Sequence, residues 1–278
     1  MMKTMDFLAS LMLRDAGKID GISGVLLSGE PGTGKTRWAR LFAESIEAKF
    51  LKYQCHEGTG KEELLYDIDV AGVVERLSPH GDGGATNKKE FLSKGLLPLA
   101  CEYSHQGKVV FLLDELEKAR PAVDNFLLDF LQSGEVFDPN LGHFTANASN
   151  LLFVATTNEQ RMLSEPLYRR LRRKKFLFPD AEQLLAIVKA IVPEDAKHLG
   201  DTKIKFLINM ALWYRDQEVV KKITPPEIAR LVSDFTVCAT DDEKAEVIFS
   251  WFSPHEEDWA TLLKYNKGGL KYILGMLK

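Results

Sequence analysis

The stretch Gly29-Glu30-Pro31-Gly32-Thr33-Gly34-Lys35-Thr36 decides how the rest of the chain is read. It fits the pattern G-x-x-x-x-G-K-[ST], in which glycines let the backbone curl so that successive N–H groups point inward at phosphate oxygens. A helix begins at its end, so the positive end of a helix dipole adds to those donors. Lys35 supplies a cation for the terminal phosphates, and Thr36 a hydroxyl for Mg2+. The flanks meet the structural demand of the motif: residues 25–28 read as a short buried strand, and Trp38, Leu41, Phe42, Ser45 and Ile46 recur at helical spacing. A Gly-Pro turn that merely joins strand to helix is the plainer alternative, and both flanks argue against it.

Five apolar strand candidates alternate with helical patterns, at residues 25–28, 49–55, 108–114, 150–156 and 174–178. That rhythm predicts an α/β fold, a parallel five-stranded sheet with helices on both faces. After Pro179-Asp180 the pattern turns all helical. Residues 181–192, 203–217, 225–239 and 242–252 read as amphipathic helices, with Asp180 and Thr224 as N-caps and Pro225 at a first helical position. The expected organisation is a three-layer core over residues 1–179 and a small all-helical domain over 180–278. The tail beyond Pro254 is helix-like but weaker, and residues 78–86, with Pro79 and nearby glycines, read as a loop.

Val109-Val110-Phe111-Leu112-Leu113 runs into Asp114-Glu115, a buried strand that delivers two carboxylates at its C-terminal end. Open α/β sheets bind their ligands at that end. Asp114 is placed to hold Mg2+, mostly through water, and Glu115 to polarise an attacking water. The same residues suit an acidic helix start, and it is their pairing with the phosphate loop that favours catalysis. Leu151-Leu152-Phe153-Val154-Ala155-Thr156-Thr157-Asn158 is a third buried strand with a polar end. Asn158 is a candidate to position the water between Glu115 and the γ-phosphate; a turn-forming Asn is the plain alternative. Arg170, assisted by Arg169, in Pro166-Leu167-Tyr168-Arg169-Arg170-Leu171, is the first candidate for the cation that a neighbouring subunit presents to the transferred phosphoryl group. The alternatives for this run, which continues in Arg172, Arg173, Lys174 and Lys175, are a solvated basic face or contact with nucleic acid phosphates.

In this order and at these intervals, the four segments resemble Walker A, Walker B, sensor 1 and the arginine-finger segment of the AAA+ ATPases. Further details resemble the MoxR branch: the phrase GEPGTGKT, the second strand running into Gln54-Cys55-His56-Glu57-Gly58 and Glu63-Leu64-Leu65-Tyr66, Pro98-Leu99, and Phe178-Pro179-Asp180. The resemblance covers roughly residues 21–193, the remainder matching only as a generic helical lid. It implies ATP with Mg2+ as cofactors, ATP being held by Gly29, Glu30, Pro31, Gly32, Thr33, Gly34, Lys35 and Thr36. It implies rings, commonly hexamers, with ATP between subunits, and a protein client, often alongside a protein bearing a von Willebrand factor A domain. Glu135-Val136-Phe137-Asp138 and His143-Phe144-Thr145-Ala146 read as a hairpin that in the family points toward the ring axis. Residues 72–94 sit where MoxR proteins carry an insertion. One departure concerns the lid: where relatives carry a sensor 2 arginine this chain has Pro226, and Arg230, one turn further on, is the substitute candidate.

With 278 residues, 45% hydrophobic and 27% charged, the chain can bury a sizeable core. A net charge of −4 provides no global basic field for nucleic acid. Cys55, Cys101 and Cys238 fit no C-x-x-C spacing and the histidines no metal spacing, which favours a reducing cytoplasm over a disulfide framework. No apolar run reaches about 18 residues, and the first twenty lack a signal-like apolar region, so no membrane association is expected. A remodeller of proteins ranks ahead of a nucleic-acid motor using ATP or GTP, since the loop reads phosphates and leaves the base open. A scaffold that binds ATP with little hydrolysis ranks last, because Glu115 and Asn158 are both present.

Overall fold

The computed structural model describes residues 21–69, 91–217, 219, 221–252, 260–264 and 269–276. The loop expected at 78–86, most of the 72–94 insertion, the first twenty residues and much of the tail lie outside them. Among the described residues nine strands follow in chain order: β1 (Ser23–Gly29), β2 (Lys49–Gln54), β3 (Tyr66–Ile68), β4 (Leu92–Lys94), β5 (Val109–Asp114), β6 (Glu135–Asp138), β7 (Gly142–Thr145), β8 (Leu151–Thr157) and β9 (Arg172–Phe176). Five form one sheet in the order β2-β5-β8-β1-β9, every pairing parallel.

β5 and β8 are buried along their whole length, which is why they read as unbroken apolar runs. Alternate residues serve opposite faces. Leu26, Phe111, Leu113, Phe153 and Ala155 pack with Leu97 and Ala100 of helix Leu96–Ser104 and with Leu127 and Phe130 of helix Ala122–Ser133. Val25, Leu27, Val110, Leu112, Leu152 and Val154 pack with Trp38, Ala39 and Phe42 of helix Lys35–Ser45. β8 lies between β5 and β1, so the Asp114 strand stands one strand away from the phosphate-loop strand.

β9 spans Arg172–Phe176 rather than the expected 174–178. Its parallel register, from Val25 opposite Arg172 to Gly29 opposite Phe176, sets those limits, whereas Phe178 packs with the helices that follow. As an edge strand carrying Arg172, Arg173, Lys174 and Lys175, it presents cations where a further strand would otherwise pair. The expected hairpin is present as β6 and β7, its turn closed by Asp138 Oδ1 accepting from the backbone N–H of Asn140 (2.8 Å) and Leu141 (3.0 Å). The β3–β4 ribbon was not legible in the sequence, since three-residue strands carry too little alternation to read.

A second compact unit begins at Leu177. It contains helices Ala181–Ile191, Pro193–Leu199, Asp201–Arg215, Pro225–Val237, Asp241–Phe252 and Gly269–Met276. Leu184, Val188, Leu207, Ile208, Ala211, Ile228, Leu231, Val232 and Phe252 form a core of its own. Asp180 caps the first helix by accepting from Gln183 N at 2.8 Å, and Gln183 Oε1 accepts from Asp180 N at 3.2 Å. Thr224 N donates to Glu227 Oε2 at 2.7 Å at the start of the fourth. Pro193 opens a helix absent from the sequence reading, and Gly200, at φ 83°, ends it and allows the next to start at Asp201. No helix among the described residues is long and apolar enough to cross a membrane.

Candidate nucleotide site

Glu30, Pro31, Gly32, Thr33 and Gly34 form the bend between β1 and helix Lys35–Ser45. Three glycines there are dictated by backbone. Gly32 sits at φ 74° and Gly34 at φ 92°, and at Gly29, φ 140°, a Cβ would lie 2.3 Å from the Phe176 carbonyl oxygen. Lys35 is 6% exposed, and its ammonium donates to the carbonyls of Gly29 (2.6 Å) and Glu30 (2.9 Å) and to Asn158 Oδ1 (2.8 Å). Burial pushes its pKa down, against the upward pull of Glu117, Asp114, Glu115 and Glu159.

Thr36 Oγ1 donates to both oxygens of Asp114, at 2.8 and 3.0 Å. Asp114 also accepts from Thr156 Oγ1 at 2.6 Å and pairs with Lys52 Nζ at 2.7 Å. Burial alone would raise the Asp114 pKa; the donors Lys52, Thr156 and Thr36 outweigh it and hold the carboxyl below its ordinary value. A carboxylate and a hydroxyl side by side are hard oxygen donors, and they fit Mg2+. Among the described residues no group of three or more His, Cys, Asp and Glu side chains is set to hold a metal. That donor set suits an ion carried largely by phosphate oxygens and water.

Glu115 takes the left-handed conformation, φ 58° and ψ 51°, which a non-glycine residue adopts at a cost and which turns its side chain out of the strand. Its backbone N–H donates to Thr156 Oγ1 at 2.8 Å. The carboxylate accepts from Gln54 Nε2 (3.0 Å), Lys118 Nζ (2.6 Å) and, more weakly, Asn158 Nδ2 (3.4 Å). Asn158 therefore spans the site, its amide oxygen toward the Lys35 ammonium and its NH2 toward the Glu115 carboxylate. Donor and acceptor chemistry permits only that orientation. The Asn158 backbone N–H is held by Glu117 Oε1 at 3.0 Å.

Several of these partners were missed in the sequence. Lys52 carries a faint signal, a lysine inside an otherwise apolar strand, and Thr156 is the polar end of a buried one. Glu117, Asp124 and Arg161 carry none, because only the tertiary fold brings them together. Arg161 donates from Nη1 and Nη2 to the two oxygens of Asp124 (3.0 and 2.9 Å) and from Nε to the Glu117 carbonyl (3.0 Å). Asp124, 1% exposed, also accepts from Ser164 N at 2.6 Å. This pair ties the turn after β5, helix Ala122–Ser133 and the segment after β8 into one piece. Arg161→Ala leaves a buried carboxylate with one remaining donor and is expected to cost about 3–5 kcal/mol. Chemical denaturation should then show an earlier unfolding transition.

The two arginine candidates differ in setting. Arg170 Nη2 donates to the carbonyls of Leu131 (2.9 Å) and Ile22 (3.4 Å), which commits it to its own unit. Arg169 is exposed, its side chain pairing with Glu165 one helical turn earlier. Arg230 lies exposed on helix Pro225–Val237 of the second unit and takes no part in the bonds just described. Burial pushes the thiols of Cys55 and Cys101 up to about 12, so neither is a nucleophile at neutral pH.

A parallel sheet with a phosphate loop and two carboxylates at its C-terminal edge defines a P-loop nucleotide-binding protein. The family model described as AAA domain (dynein-related subfamily) matches residues 24–171, more than half of the chain, and the chain belongs to that family, within the AAA+ ATPases. It is 29% identical over 199 residues to the Lon protease of Malacoplasma penetrans, covering 66% of this chain and 22% of that protein. It is 32% identical over 138 residues to the chaperone protein ClpB of Porphyromonas gingivalis, covering 49% of this chain and 14% of that one. The chain thus spans less than a quarter of the length of these curated relatives. A RuvB mutant of Thermotoga maritima shares the fold at TM-score 0.53 and 17% identity, over 98% of this chain and 82% of that chain.

Proposed function

We propose that this protein is a MoxR-type AAA+ ATPase that hydrolyses Mg-ATP between the subunits of a ring and passes the work to a protein client. The carrying observation is Asn158 bridging Lys35 and Glu115, because it links the residue that grips the phosphates to the one that would activate water. The backbone N–H groups opening helix Lys35–Ser45, with Lys35, receive the terminal phosphates. Lys35 exchanges the carbonyls of Gly29 and Glu30 for phosphate oxygens as it does so. Thr36 and Asp114 would hold the metal, which would supply positive charge against that of the phosphates. Glu115 accepts the proton of the attacking water, which Asn158 orients. Arg169 or Arg170 of a neighbouring subunit meets the transition-state charge.

Rings of six, a client and a partner with a von Willebrand factor A domain belong to this proposal through the MoxR resemblance. The match to a chaperone and a Lon protease supports a protein client over nucleic acid. Lys35→Ala tests the reading. Losing a buried ammonium with two or more charge-assisted bonds to phosphate is expected to lower ATP affinity by about 10²-fold or more. Unchanged affinity in calorimetry would remove the phosphate-loop assignment.

A further inference from the structure

β2 is the outer strand beside β5, and its residues alternate between two faces. Leu51 and Tyr53 pack on the side of helix Leu96–Ser104, while Phe50 packs on the side of helix Lys35–Ser45. Lys52 shares the face of Phe50. In register it lies opposite Leu112, two residues short of Asp114, and its side chain runs along the strand direction to place Nζ 2.7 Å from Asp114 Oδ2. Asp114 is then engaged at both oxygens: Thr156 donates to Oδ1 (2.6 Å), Lys52 pairs with Oδ2, and the one Thr36 hydroxyl proton is shared between Oδ1 (2.8 Å) and Oδ2 (3.0 Å).

A divalent cation that uses Thr36 and Asp114 must approach the same carboxylate. It meets a fixed ammonium already neutralising that charge, with a second ammonium, Lys35, close by. A bare cation gains little from such a site, and like charges a few ångströms apart repel. A cation that arrives on a triphosphate brings several negative charges with it, on phosphate oxygens that are the hard donors Mg2+ prefers. We propose that Lys52 makes metal loading depend on nucleotide, its ammonium competing with the divalent ion for Asp114 so that the metal enters only as the nucleotide complex. The inference rests on the reading of Thr36 and Asp114 as metal ligands. Lys52 is a tuning residue and touches no reacting atom.

Mn2+ binding followed by electron paramagnetic resonance tests it on the full chain, without turnover. Nucleotide-free wild type is expected to bind Mn2+ weakly, at least about tenfold more weakly than in the presence of a non-hydrolysable ATP analogue, the ratio that a modest close-range repulsion produces. Lys52→Met should tighten Mn2+ binding to the nucleotide-free protein by about tenfold, Lys52→Arg should leave it as in wild type, and adding Asp114→Asn to Lys52→Met should abolish the gain. Equal Mn2+ affinity of wild type with and without the analogue overturns the inference, and needs no variant to fold. So does Lys52→Met binding no more tightly than wild type while the analogue still recruits Mn2+, a result that leaves the metal-ligand reading standing. If the analogue recruits no Mn2+ to wild type, that reading falls and the inference with it.

Discussion

A Glu115→Gln variant is expected to bind ATP as the parent does and to hydrolyse it about 10²–10⁴-fold more slowly, the contribution of a positioned general base. The amide keeps the shape of the side chain and an oxygen for Gln54 and Lys118 to donate to, giving up only the weaker acceptor that faces Asn158 Nδ2, so the site should assemble. What it lacks is a site that can take a proton from water. The geometry adds a condition on the parent itself. Glu115 carries its charge against Lys118 and Gln54, so it must release at least one of them before it can face a water at the γ-phosphate. Calorimetric ATP binding together with phosphate release under saturating ATP separates the two effects. Turnover within a few-fold of the parent would mean that another group activates the water.

The second large effect concerns the arginine that acts across subunits. Removing such a cation is expected to cost on the order of 10³-fold in turnover while leaving ground-state ATP binding nearly intact. Position along the chain puts Arg170 first, but its hydrogen bonds to Leu131 and Ile22 hold it inside its own unit, whereas Arg169 is exposed. Arg169→Ala is therefore the variant expected to behave as a finger loss, and Arg170→Ala the one expected to lower the melting temperature. A mixing experiment isolates action in trans. Arg169→Ala subunits keep Glu115 and lack the finger; Glu115→Gln subunits keep the finger and lack the base. Each alone should be nearly inactive, and mixed assemblies should regain hydrolysis wherever an Arg169→Ala site faces a Glu115→Gln neighbour. Recovery with Arg170→Ala instead would assign the finger to Arg170, with its present bonds broken on assembly. No recovery with either, once subunit exchange is verified, would remove the trans mechanism.

Much of the candidate site was legible because the chemistry proposed for it is carried by short contiguous motifs. A loop that must curl around phosphates needs glycines at fixed offsets, and a strand buried on both faces must be apolar until it emerges, so Gly29 to Thr36, Asp114, Glu115 and Asn158 stand out by type and place. Less legible were residues that act through one partner far away in sequence. Nothing in the neighbourhood of Asp124 or Arg161 announces a buried ion pair, and Glu117 reads as one more acidic residue in a turn. Element limits were blurred where competing signals overlap. Phe176, Leu177 and Phe178 form one apolar run, yet the first ends β9 and the last packs with the helices that follow.

By itself the sequence determined the α/β class, the parallel sheet, the change to all-helical structure after Pro179 and the glycine-rich bend between β1 and helix Lys35–Ser45. Those follow from periodicity and from steric and charge demands that act over a few residues. The tertiary structure alone decided which strand stands between β1 and β5, and so which side chains meet across the sheet. By placing β8 there it sets Asn158 between Lys35 and Glu115, and by registering β2 on β5 it brings Lys52 onto Asp114. Strand order and register arise from the packing of whole faces, and no local stretch of sequence encodes them.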